Sequence, residues 1–181
     1  MSNEDTRYIN FLMKRARKYN SAEEFVNSYN GGLILNRKKV NQWIAGGVGN
    51  EVMLSNLLGA EGKNIVRDMG IPDIPIKIIE ASEETIGYDA YIQWRGGHML
   101  KDVRIFMVIS PLDEFGVNDL ESMEFCLLHE LAHAKQVMLN RLGHKKIQSE
   151  ISERSADKFA FYIFSKLRNK LILLYQLVKN K

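Results

Sequence analysis

Apolar positions recur at helical spacing toward both ends of the chain and crowd together at strand spacing in its middle. From about Asp5 to Tyr19 the pattern predicts a basic amphipathic helix. Ser21-Ala22-Glu23-Glu24 then offers a capping box for a short second helix, which Gly31-Gly32 stops. Gly46, Gly47 and Gly49 mark a loop. Asn50 to Met69 reads as a third helix, with Val52, Leu54, Leu57, Leu58, Ile65 and Val66 as its apolar face.

The rhythm changes after Gly70. Ile74-Pro75-Ile76-Lys77-Ile78-Ile79, Gly87 to Trp94 and Val103 to Ile109 are rich in β-branched and aromatic residues, which predicts three short strands. Gly96-Gly97 separates the last two and suggests a hairpin with a loop through His98 and Lys101. Asn118-Asp119-Leu120-Glu121 is a second capping box, and Leu120, Met123, Leu127, Leu131, Ala134, Met138 and Leu142 follow at helical spacing up to Gly143. A last long helix begins near Ser149, with Ile151, Phe159, Ile163, Leu167, Leu171 and Leu174 on one side. The expected fold class is α+β: N-terminal helices, a small three- or four-stranded twisted sheet, then two helices. Residues 1–181 read as one domain, with a helical region over 1–70 of unassigned role and a core over 71–181.

Composition narrows the function classes. A chain of 181 residues, 45% of them apolar, can bury one sizeable core. Its 25 basic residues nearly balance 22 acidic ones, so it lacks the field of a nucleic-acid binder. The basic runs Lys14–Lys18, Arg37–Lys39 and Lys166–Lys181 have no aromatics interleaved for base stacking and read as solvated faces. A single cysteine, Cys126, excludes an intramolecular disulfide and fits a reducing compartment. No apolar run approaches the roughly 20 residues that span a bilayer. The expectation is a cytoplasmic protein without membrane or nucleic-acid partners.

Candidate chemistry sits in LLHELAHAKQ, Leu127 to Gln136. Residues four apart lie one turn above each other on a helix, so His129 and His133 can meet one metal ion. Glu130 is offset by one residue, which suits a general base beside a metal-held water rather than a ligand. A catalytic zinc takes three protein ligands and keeps a position for water, so a third ligand is needed downstream. His144 and the acidic cluster in SEISERSADKFAF are the candidates, with Glu153 and Asp157 one turn apart on the last helix. A carboxylate there can also fix the tautomer of a ligand histidine.

His129-Glu130-Leu131-Ala132-His133 followed by Glu153-Arg154-Ser155-Ala156-Asp157 resembles the zinc peptidases called gluzincins, which carry an HExxH helix and a later ExxxD helix. The small size and the order of sheet and helices look like the minigluzincins, and ERSADKFA is similar to the ImmA/IrrE and Ste24-like peptidases. The resemblance covers about Tyr88 to Ser165. It implies that His129, His133 and Glu153 bind one zinc ion, that Glu130 is the general base, and that Asp157 orients a histidine ligand. Ser152 stands where thermolysin-like enzymes have asparagine, and Gln136 and Leu139 occupy positions where metzincins require glycine and histidine.

The activity so implied is hydrolysis of peptide bonds in a specific protein substrate, with a transcriptional repressor or a phage protein as the suggested class. The tetrahedral oxyanion needs a donor besides zinc, for which Tyr162, Tyr88, Tyr91 and His144 are candidates. An extended substrate can add to the sheet as a strand, near Val103 to Ile109. Two other readings accompany this one: a noncatalytic module whose zinc holds two helices together, and a DNA-associated protease of the SprT type with His144 as third histidine. Oligomeric state is not readable from these residues.

Overall fold

The α+β class expected from the hydrophobic pattern is the observed one. A computed structural model describes residues 3–29, 31–80, 90–94, 103–109, 120–141 and 149–180. Among these are α1 (Asn3–Ala16), α2 (Ala22–Asn27), α3 (Arg37–Ala45), β1 (Glu51–Met53), α4 (Leu54–Leu57), α5 (Ala60–Met69), β2 (Pro75–Glu80), β3 (Ala90–Trp94), β4 (Val103–Ile109), α6 (Leu120–Arg141) and α7 (Ser149–Lys179). No helix of the described residues is long and apolar enough to cross a membrane. The chain divides into two compact units, Gly31–Ala160 and Met1–Asn30 with Phe161–Lys181.

Among the described residues the larger unit is built on a four-stranded mixed sheet of order β1-β2-β4-β3. β2 and β4 run parallel in the middle, while β1 and β3 pair antiparallel at the two edges. Ile76 and Ile78 of β2 and Val103, Ile105 and Met107 of β4 are buried, as alternation in a strand requires. The expected hairpin pairing is present, Ala90 opposite Met107 through Trp94 opposite Val103, and its loop lies outside the described residues. β4, the strand expected to lead into α6, is internal, with both of its edges paired.

The third helix expected over Asn50 to Met69 is instead a strand and two helices. Glu51–Met53 pairs with Pro75–Lys77 as β1, and Leu54 turns the chain into α4. Asp73 holds that turn, one carboxylate oxygen accepting the Ser55 N–H at 2.9 Å and the other the Ser55 hydroxyl at 2.6 Å. Tertiary pairing overrides the helical spacing of Val52, Leu54 and Leu57 here. α3 lies outside the expected elements, although Asn36 caps it by accepting the Lys39 N–H at 3.2 Å.

α6 is held from behind by its own acid. Leu127, Leu128, Leu131 and Ala134 are fully buried, and with Leu120, Met123, Glu124, Glu130 and Ala132 the buried positions span roughly 200° of the helix at 100° per residue. The side chain of Glu124 lies within that arc, and its Oε1 accepts the backbone N–H groups of Gly32, Ile34 and Leu35 at 2.8, 2.7 and 2.8 Å. The segment it grips approaches α6 closely. Gly31 has φ +86°, and a Cβ there would sit 2.7 Å from the Leu120 and Glu121 backbone. On the other side of the segment, Gly62 of α5 leaves room for the Ile34 carbonyl, which a Cβ would meet at 2.2 Å.

In the smaller unit Ser21 caps α2 as expected, accepting the Glu24 N–H at 3.0 Å. Phe25 lies between Tyr19 and Tyr175, with ring centroids 5.8 and 6.2 Å away. The Tyr175 hydroxyl donates to the Tyr19 carbonyl at 3.3 Å, and the Arg15 guanidinium donates to the Ser28 carbonyl.

Candidate metal centre

The arc of α6 that the core leaves uncovered carries His129 and His133, both partly exposed, opposite the face gripped through Glu124. α7 brings Glu153 and Asp157 to them, four residues apart and therefore on one face. His129 Nε2 lies 3.0 Å from His133 Nε2 and 3.1 Å from Glu153 Oε2, and His133 Nε2 lies 3.3 Å from Glu153 Oε1. One ligand atom from each of the three residues falls within 4.8 Å of the others.

These separations fit a single small cation. A tetrahedral ion with nitrogen and oxygen donors at about 2.0–2.1 Å keeps neighbouring donors about 3.3–3.4 Å apart, and each histidine Nε2 has the other and one Glu153 oxygen at 3.0–3.3 Å. Two imidazoles and a carboxylate form a borderline N/O donor set of the kind that divalent metal ions take. The structure therefore contains a group able to hold a metal ion, made of His129, His133 and Glu153.

The remaining ring nitrogens are also engaged. Asp157 Oδ1 lies 3.0 Å from His129 Nδ1, and Gln136 Oε1 lies 3.0 Å from His133 Nδ1. A carboxylate or amide oxygen there accepts an N–H, which leaves the Nε2 lone pair for a cation. Asp157 is the acid that the resemblance implies for this position; Gln136 belongs to neither the HExxH nor the ExxxD motif. Its signal was present in the sequence, since a residue three after His133 shares its helix face.

Glu130 stands at the margin of this group, its side chain buried. Burial pushes its carboxyl up to about 7, opposed by the charge of His133 and a hydrogen bond from the Ile92 backbone and assisted by the charge of Glu153. Ile92 belongs to β3, the edge strand that packs on α6. The acid is thus desolvated and near neutrality in titration, with a strand edge beside it.

Of the oxyanion candidates, Tyr162 belongs to the smaller unit, where its ring carries Lys166 Nζ 4.9 Å from the centroid. Tyr88 and His144 lie outside the described residues, as does the side chain of Tyr91. Cys126 is partly exposed one turn before His129 and is not among the metal-holding group. No family model, curated protein or solved structure matches the chain, so the site stands on its own geometry.

Proposed function

We propose that the chain is a zinc-dependent peptidase in which Glu130 is the general base. The observation that carries this reading is the His129, His133 and Glu153 group with the buried acid Glu130 on the helix that supplies both histidines. A structural site needs four ligands and no base, whereas three ligands beside a desolvated carboxyl suit hydrolysis. When bound, zinc supplies Lewis-acid polarisation of the scissile carbonyl and brings the pKa of water to about 7.

The chain's residues do the rest. His129, His133 and Glu153 fix the centre, and Asp157 holds the His129 ring through Nδ1. Glu130 takes a proton from the attacking water onto its carboxylate and gives it to the nitrogen of the amide as the C–N bond breaks. With zinc bound, the cation would favour the carboxylate form of Glu130, the form that accepts the water's proton. The substrate is a protein or peptide, consistent with the resemblance to ImmA/IrrE-like and minigluzincin peptidases, and a repressor or phage protein is the class that resemblance suggests. β3 rather than β4 is the strand for it to join, being the edge strand whose Ile92 meets Glu130.

A metal-stapled, noncatalytic module is the second reading, favoured by the origin of the ligands on two helices, α6 and α7. Incubating the zinc-loaded chain with denatured protein and sequencing the products separates the two. Glu130→Gln keeps zinc and lowers cleavage by on the order of 10²–10⁴-fold under the peptidase reading. No cleavage by the unsubstituted chain, or equal cleavage by Glu130→Gln, removes it.

A further inference from the structure

We propose that Gln136 positions His133 for metal binding, its side-chain carbonyl accepting the Nδ1–H of that ring so that Nε2 faces His129 and Glu153. The inference rests on the metal-centre reading and concerns a residue that neither the HExxH nor the ExxxD pattern contains.

A neutral imidazole carries one N–H and one lone pair. For Nε2 to offer its lone pair, Nδ1 must carry the proton, and a partly buried N–H needs an acceptor. Gln136 Oε1 is 3.0 Å from His133 Nδ1, and it comes from the same helix three residues on, so helix geometry alone brings the pair together. Asp157 is the counterpart for His129, reaching Nδ1 at 3.0 Å from α7. The two ligand histidines are therefore held in different ways, one by an acid from the neighbouring helix and one by an amide within α6.

The amide also differs in charge. Glu130, Glu153 and Asp157 already place three acids around the histidines. A carboxamide supplies the acceptor without adding a fourth. Removal of the acceptor frees the ring to rotate or to take the other tautomer, which withdraws the ligand lone pair.

Zinc affinity by chelator competition, with NMR of the ring protons in the zinc-loaded chain, tests this. Gln136→Leu and Gln136→Met should each weaken zinc binding about 10–100-fold, and the His133 Nδ1 proton should exchange quickly with solvent. Gln136→Glu retains an acceptor and should bind about as tightly as the unsubstituted chain with a slowly exchanging proton. Unfolding of the metal-free variants checks that the fold is kept; if one apolar variant does not fold, the other carries the test. Affinity and proton exchange unchanged in the apolar variants overturn the proposal while leaving the metal centre standing. Zinc binding that is unchanged in His133→Ala overturns both.

Discussion

Asp157 Oδ1 lies 3.0 Å from His129 Nδ1, while the other nitrogen of the same ring lies 3.1 Å from Glu153 Oε2. Both acids come from α7, so the spacing of one turn sets the ring's orientation and its ligand neighbour together. Asp157→Ala should weaken zinc binding about 10–100-fold without abolishing it. Asp157→Asn, which keeps an oxygen acceptor, should lose less. Chelator competition measures both, and equal affinities in Asp157→Ala and the unsubstituted chain would remove Asp157 from the site.

Burial of Glu130 has a consequence for the metal-free protein. Its carboxyl is raised from 4.5 to about 7, so the folded chain holds that proton more tightly than the unfolded chain does. Stability therefore falls as pH rises from about 4.5 to about 7, because the folded state must then keep a buried carboxylate. Glu130→Gln removes this penalty and should stabilise the metal-free chain at pH 8 by on the order of 2–3 kcal/mol, with little difference at pH 4. Urea unfolding at the two pH values checks the sign; a variant less stable at pH 8 than the unsubstituted chain would contradict it.

Glu124 predicts a stability effect separate from the chemistry. Its carboxylate satisfies three N–H groups of the Gly32–Leu35 segment, and truncation strands them in the core. Glu124→Ala should cost about 3–5 kcal/mol, and Glu124→Gln, which keeps one acceptor oxygen, distinctly less. Denaturant midpoints should fall in that order. Equal midpoints for Glu124→Gln and Glu124→Ala would mean that the hydrogen bonds carry no weight.

Gly62 tests the other side of the same segment. A Cβ at this position would stand 2.2 Å from the Ile34 carbonyl, a backbone atom that cannot turn aside. Gly62→Ala should destabilise by about 1–3 kcal/mol despite alanine's better helix propensity. Thermal unfolding decides the sign, and a stabilised variant would contradict the packing described.

The helical period made much of the site legible before any coordinates. His129 and His133 share a face because they are four apart, and so do Glu153 and Asp157, which left only the meeting of two helices to the structure. β2, the paired strands β3 and β4, and α6 and α7 stand out for the same reason, since each repeats its period over several residues. β1 did not, because Glu51-Val52-Met53 is too short to show alternation and becomes a strand by pairing with β2. Glu124 stands on the face of Leu120, Met123, Leu127 and Leu128, yet its partners lie about ninety residues earlier. The neighbour of Glu130, Ile92, depends on which edge of the sheet meets α6, and no local pattern encodes that.

Equilibrium zinc binding tests the central claim most directly, since every step proposed depends on His129, His133 and Glu153 holding one ion. The unsubstituted chain and Glu130→Gln should each bind one zinc per chain, and His133→Ala should lose it. No binding, or binding unaffected by His133→Ala, would contradict the account.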